Sequence, residues 1–91
     1  MHTDVEDKES MKIKVLFFGP MKDCTNISSR EYDVHESFTL ANLIGFVYAD
    51  YPEAKDVLDV CAFVVNQEFS EESNPLHEGD EVAVLPPVSG G

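Results

Sequence analysis

Apolar and polar residues alternate regularly near the start of the chain, and this pattern predicts two strands. In residues 12–18, apolar side chains recur at every second position, which is the period of a strand with one face on a core. Gly19-Pro20 is expected to end this strand, and the polar stretch that follows, through Ser29, is interpreted as a loop. A second strand is predicted over residues 30–35.

A helix is predicted to follow, because the apolar period changes from two residues to three or four. Ser37 or Thr39 is expected to cap it, since a hydroxyl accepts hydrogen bonds from the free N–H groups of the first turn. Six residues form one apolar stripe at this spacing: Leu40, Leu43, Ile44, Val47, Tyr48 and Tyr51. Pro52 is predicted either to end the helix or to break it before a short second helical segment near residues 53–58.

The second half of the chain returns to short strands. Residues 62–66 are almost wholly apolar, which is typical of a strand covered on both faces. The acidic residues 68–75 are interpreted as a loop with at most one short strand. A Gly79-Asp80 turn then precedes a last strand over residues 81–85.

This β-β-α-β-(β)-β order predicts an α+β domain of the β-grasp, or ubiquitin-like, type. Such a domain has a mixed sheet with one main helix packed on one face. We divide the chain into a disordered acidic N-terminal extension (1–11), the β-grasp domain (12–85) and an extended C-terminal tail (86–91).

Composition excludes several function classes. The 91 residues suffice for one domain, and 18 acidic against 6 basic residues give a net charge of −12, which phosphate backbones would repel. We therefore expect no nucleic-acid partner. An apolar run near the roughly 18 residues of a membrane span is absent, as are the features of a signal peptide, so we expect no membrane partner and a cytosolic location. The acidic surface suits a basic protein partner, or it simply keeps the chain in solution.

Reactive side chains form no recognisable catalytic or metal-binding pattern. Cys24 and Cys61 are far apart in sequence, and the three histidines have no ligand spacing with them, so we expect no metal. Cys61 opens an apolar run and is interpreted as a small core residue. The sequence has no phosphate-binding glycine loop either, and we expect no enzymatic activity from the chain alone.

The C-terminal tail carries the most specific signal. Glycine averages roughly 7% of residues, so a terminal Gly90-Gly91 pair arises by chance in only about 0.5% of chains. Glycine has no Cβ and fits narrow channels, whereas Pro86-Pro87 fix φ and favour an extended course. The tail therefore suits insertion into another protein. A frayed terminus or a remnant of cloning is the alternative.

The run from Gly79 to Gly91 resembles the C-terminus of the small subunits of molybdopterin synthase. In that family of ubiquitin-like sulfur carriers, a Gly-Asp-Glu-Val turn and strand lead to a Pro-Pro-Val-x-Gly-Gly end. The resemblance covers about residues 12–91 and implies that Gly91 is the reactive residue. A ubiquitin-activating-like adenylyltransferase would use ATP to form an acyl-AMP at Gly91, and sulfur transfer would then convert it to a thiocarboxylate.

The resemblance also implies the partners and their order. The tail would insert into the large catalytic subunit and donate sulfur to cyclic pyranopterin monophosphate, which forms molybdopterin. Two small and two large subunits would form a heterotetramer, with no permanently bound cofactor. The inserted residues would be Pro86, Pro87, Val88, Ser89 and Gly90. Phe18 and Leu85 are weaker candidates for a docking surface, because core packing explains them equally well.

Three other interpretations stay open. The chain is then either another Gly-Gly sulfur carrier, of the tRNA-thiolation or thiamine type, or a ubiquitin-like modifier that is joined to lysines. A non-covalent β-grasp binding module is a third, but such a module needs no Gly-Gly end.

Overall fold

The computed structural model describes residues 10–35 and 37–87, which form a five-stranded mixed sheet with helices packed against one face. The strands are β1 (Ser10–Phe17), β2 (Ser29–His35), β3 (Ala62–Val65), β4 (Glu68–Phe69) and β5 (Glu81–Leu85). The helices are α1 (Gly19–Thr25), α2 (Leu40–Asp50) and α3 (Lys55–Val60), with a 3₁₀ turn at Pro52–Ala54.

The strand order β2-β1-β5-β3-β4 places the last strand in the middle of the sheet. β5 runs parallel to β1 on one side and antiparallel to β3 on the other. β2 and β4 form the two edges, each antiparallel to its neighbour. This arrangement confirms the predicted β-grasp fold.

One face of the sheet carries the hydrophobic core, and we call it the covered face. Alternate residues of β1, β2 and β5 point to this face and meet the helices there, as the two-residue period of a strand requires. Its fully buried strand residues are Ile13, Val15, Phe17, Val82 and Val84. The helices contribute Met21, Leu40, Leu43, Val47, Ala54 and Leu58.

The segment after β1 is a helix, so the predicted loop was wrong. Gly19 takes a positive φ of 55° and turns the chain, and Pro20 then occupies the first turn of α1. Proline suits that position because the first N–H groups of a helix have no intrahelical partner. Met21 is the buried residue that α1 contributes to the core. One apolar anchor in seven residues is too few to show a helical period.

The predicted boundary between extension and domain was two residues late. β1 begins at Ser10, and Met11 is buried in the core. Residues 1–9 of the predicted extension lie outside the described part of the chain.

Helix α2 confirms the predicted apolar stripe and selects Thr39 as its cap. The Thr39 hydroxyl accepts from the Asn42 N–H at 3.2 Å, and the Asn42 side chain accepts from the Thr39 N–H at 3.0 Å. This reciprocal pair satisfies two otherwise unpaired donors. Pro52 breaks the helix before α3, which is the second of the two predicted alternatives.

Strand β3 is less buried than the prediction of a strand covered on both faces required. Val64 is buried, but Ala62, Phe63 and Val65 are all partly exposed. Phe63 and Val65 pack against the core from the covered face. The other face of the described sheet has no helix over it, which leaves an apolar surface there.

Candidate functional site

The tail departs from the central strand of the sheet. β5 is hydrogen-bonded on both sides, and its last residue, Leu85, lies opposite Ala62 of β3. Pro86 is half-buried and Pro87 is exposed. The sheet therefore fixes the position from which the tail starts. The predicted reactive residue Gly91, with Val88, Ser89 and Gly90, lies outside the described residues.

An apolar groove lies on the sheet face opposite the helices, next to the start of the tail. We call it the open face. Its apolar lining is formed by Leu16, Phe18, Val64, Phe69, Ala83 and Leu85. Phe18 is 43% exposed and Leu85 is partly exposed, so packing in the core does not explain these two side chains. The structure thus brings both predicted docking residues into one surface.

Phe69 is the residue of this surface that sequence reasoning missed. Its side chain is 85% exposed although it is a phenylalanine. It lies in β4, directly after a two-residue hairpin turn in which Asn66 and Gln67 both take positive φ values. The available signal was an aromatic residue inside an otherwise acidic segment, where large apolar side chains are otherwise absent.

The hairpin that holds Phe69 is tied to the start of β5. The Asn66 side chain donates to Asp80 Oδ1 at 3.0 Å and accepts from the Glu81 N–H at 3.0 Å. Asparagine tolerates the left-handed backbone conformation of such a turn. The aromatic ring therefore occupies a defined position relative to the strand that leads to the tail.

The open face of the sheet becomes charged towards β2. Lys12 Nζ lies 2.9 Å from Asp33 Oδ1, and Lys14 lies opposite Glu31 in the β1–β2 register. The hydrogen bond from Lys12 to Asp33 raises the pKa of that lysine. The open face is therefore charged on the side of β1 and β2 and apolar in the groove formed with β5, β3 and β4.

A second titratable cluster lies on the covered side and joins β2 to α2. Asp50 Oδ2 forms an ion pair with Arg30 at 2.8 Å and accepts a hydrogen bond from the Tyr32 hydroxyl at 2.7 Å. Burial, together with the hydrogen bond to Asp50, raises the pKa of Tyr32 well above its usual value. The groups satisfy one another, which is the behaviour of a structural network.

Both cysteines are free thiols. Cys24 is exposed, and burial raises the pKa of the Cys61 thiol, which disfavours the reactive thiolate. Across residues 10–35 and 37–87, no three His, Cys, Asp or Glu side chains are grouped to hold a metal ion. Over the same residues, no helix has both the length and the apolar character required to cross a membrane.

Comparison with known proteins agrees with this geometry. The model of the ThiS family matches residues 15–91, which is most of the chain. The chain belongs to the ThiS family. Among its relatives, the molybdopterin synthase sulfur carrier subunit of Chlamydomonas reinhardtii is 31% identical over 83 residues. That match covers 89% of this chain and 100% of the relative.

Solved structures support the same assignment. A putative molybdopterin converting factor, subunit 1, from Pyrococcus furiosus has a TM-score of 0.80, with coverage of 87% of this chain and 100% of that one. At 24% identity this likeness shows the fold. The complex of subunits 1 and 2 of the molybdopterin-converting factor from Helicobacter pylori matches at 30% identity and a TM-score of 0.67. That match covers 89% of this chain and 100% of the other chain. The predicted resemblance to small-subunit sulfur carriers is therefore confirmed.

Proposed function

We propose that this ThiS-family protein is the sulfur-carrier subunit of molybdopterin synthase and that the sulfur is carried on the terminal carboxyl group of Gly91. The curated relatives that bear this name support the proposal. The structural observation that carries it is the position of β5. This central strand leads directly into the Pro-Pro tail, beside an exposed apolar face.

The chemistry begins by activating a poor electrophile. An unperturbed α-carboxyl group has a pKa of about 3.3–3.7, so at neutral pH Gly91 ends in a carboxylate. One carboxylate oxygen attacks the α-phosphorus of ATP, and pyrophosphate leaves. A hydrosulfide equivalent from the activating system then displaces AMP from the acyl carbon. The product is a thiocarboxylate at Gly91.

The thiocarboxylate is then used by the large subunit. The tail enters that subunit and transfers sulfur to cyclic pyranopterin monophosphate during molybdopterin formation. Glycine at positions 90 and 91 has the smallest cross-section available, and Pro86 and Pro87 restrict the chain before insertion. Within this scheme the carrier is a cosubstrate, and both reactions are performed by its partners.

The open face is the surface on which we expect the large subunit to dock. Phe18 and Phe69 are large exposed apolar side chains on one groove, and aromatic residues are enriched at binding hot spots. The groove adjoins the end of β5, so a partner docked there has the tail within reach. The similarity to a chain in a two-subunit complex supports such a partner. The family resemblance implies an assembly of two small and two large subunits.

The test is the intact mass of the protein after incubation with the activating enzyme, ATP and a sulfur donor. We expect a mass gain equal to the exchange of one oxygen for one sulfur, and a fragment spectrum that locates it at Gly91. Omission of ATP and deletion of Gly91 are the controls, and both should abolish the gain.

Three results would redirect the assignment. An unchanged mass under conditions that load a known carrier would refute sulfur transfer to this chain. A tail joined to lysines of other proteins would support the ubiquitin-like modifier. Loading at Gly91 without transfer to the pterin would instead support a carrier of the tRNA-thiolation or thiamine type.

A further inference from the structure

The turn after β1 lies beside the first residue of the tail. β1 and β5 are parallel, and Phe17 lies opposite Val84 in their register. Two residues beyond this pair, Gly19 at the start of α1 comes beside Pro86 at the start of the tail. Gly19 takes a φ of +55°, in the left-handed region that residues with a Cβ rarely occupy. The chain therefore changes direction from β1 into α1 beside the point where the tail leaves the sheet.

The Pro86 ring covers the bare backbone of Gly19. A Cβ placed on Gly19 would lie 3.3 Å from Cγ of Pro86, 3.8 Å from its Cβ and 3.9 Å from its Cδ. Optimal carbon–carbon contact is about 3.5–4.0 Å, so any side chain at residue 19 would press on the ring. Proline has a fixed φ, and a displaced ring therefore redirects the residues that follow.

We propose that Gly19 is a positioning residue for the tail. Its missing side chain lets Pro86 pack against the β1–α1 turn, and this contact fixes the direction in which the chain leaves the sheet. The inference rests on the proposed function, because it concerns delivery of the tail to the large subunit. A chain that is already directed loses less conformational entropy when it inserts.

Backbone strain is the competing explanation for any effect of a substitution at Gly19, and the protein supplies a matched control. Gly79 also has a positive φ, of +84°, but nothing lies within 4 Å of a Cβ placed there. Asparagine tolerates this backbone region, as Asn26 does at a φ of 64°. We therefore compare Gly19→Asn with Gly79→Asn, because the first adds a contact with the ring and the second does not.

The experiment measures the affinity for the large subunit with and without residues 88–91. The ratio of the Kd of the truncated chain to the Kd of the full chain is the contribution of the tail. We expect Gly19→Asn to reduce this ratio by about 5-fold or more, since small misplacements of an inserting group are costly. The Kd of the truncated chain should not change, and Gly79→Asn should leave both values as they are.

Pro86→Ala tests the same contact from the other side and also covers the case in which Gly19→Asn fails to fold. It removes Cγ and Cδ of the ring, so the packing of the ring against Gly19 is lost. We expect it to reduce the tail's contribution as Gly19→Asn does. The double variant should show no loss beyond that of Pro86→Ala, because both changes break one contact.

The outcomes separate the inference from the function on which it rests. If the wild-type ratio is one, the tail makes no insertion contact, and tail insertion as well as the role of Gly19 are refuted. If the wild-type tail contributes but Gly19→Asn leaves its contribution intact, the inference alone is wrong. Equal losses in Gly19→Asn and Gly79→Asn would assign the effect to backbone strain. Additive losses in the double variant would also refute the contact.

Discussion

The two faces of the sheet use the same strands for different tasks. On β5, Val82 and Val84 are completely buried on the covered face, while Ala83 and Leu85 line the groove of the open face. Alternation along a strand makes this division automatic. The comparison shows that the role of an apolar side chain in a strand depends on which face of the sheet it lies on. Apolar residues on the covered face hold the fold, whereas those on the open face, apart from the buried Val64, are partly or largely exposed and can contact a partner.

The largest expected effect is on stability and belongs to the covered face. Leu43 is fully buried in α2, so Leu43→Ala should leave a cavity and lower the free energy of unfolding by about 2–5 kcal/mol. Phe69→Ala on the open face is the matched change and should stay within about 0.5 kcal/mol of wild type. Urea denaturation measures both. Equal losses in the two variants would contradict the division between the faces.

The next largest effect is on partner binding, where a substitution on the open face should cost more than one on the helical side. Phe69→Ala should weaken binding to the large subunit by about 2 kcal/mol, which is about 30-fold in Kd. Phe46→Ala is the control, because Phe46 is a 45% exposed phenylalanine on α2, away from the groove. Isothermal titration calorimetry measures both values. A greater loss from Phe46→Ala would place the docking surface on the helices instead.

A smaller effect on stability is expected at the N-terminal cap of α2, the main helix on the covered face. Thr39→Ala removes the hydroxyl that accepts from Asn42, and the loss should be about 1 kcal/mol of unfolding free energy. The double variant Thr39→Ala/Asn42→Ala should lose less than the sum of the single variants, since the two side chains form one capping box. Strict additivity in urea denaturation would show that the two hydrogen bonds are independent.

The smallest effect is a pH dependence on the helical side. The Tyr48 hydroxyl donates to Asp59 at 2.7 Å, and this hydrogen bond raises the pKa of Tyr48 to about 12 from its ordinary value of 10.0. The folded state therefore holds the proton more tightly than the unfolded chain. The stability gained is complete below pH 10 and is lost as the pH rises towards 12. Tyr48→Phe should show a shallower loss in thermal unfolding measured across that range, and an unchanged slope would contradict it.

The sequence was sufficient to predict the β-grasp fold because its strands and main helix have clear periods. The stripe from Leu40 to Tyr51 and the strand after Gly79 show two such patterns. Helix α1 could not be predicted in the same way. Its buried anchor is Met21 alone, and Gly19-Pro20 has the composition of a break although it forms the start of a helix. Local composition there did not reveal the turn that packs on the tail.

Only part of the candidate site could be predicted from the sequence. The Gly-Gly tail and its prolines are a motif along the chain, whereas a surface is assembled from separate strands. Phe18 and Leu85 are adjacent to recognisable features, but Phe69 becomes part of the groove only through the pairing of β4 with β3. That pairing depends on a two-residue turn at Asn66 and Gln67, which lacks the usual glycine.

The most direct test of the central claim is a map of backbone amide signals by NMR when the large subunit is added to the full chain. We expect the largest changes at the end of β5, at Phe18 and at Phe69, with the amides of α2 unaffected. Such a map would show that the open face and the strand that leads to Gly91 form the docking surface. Changes concentrated on α2, with the groove unaffected, would contradict the account.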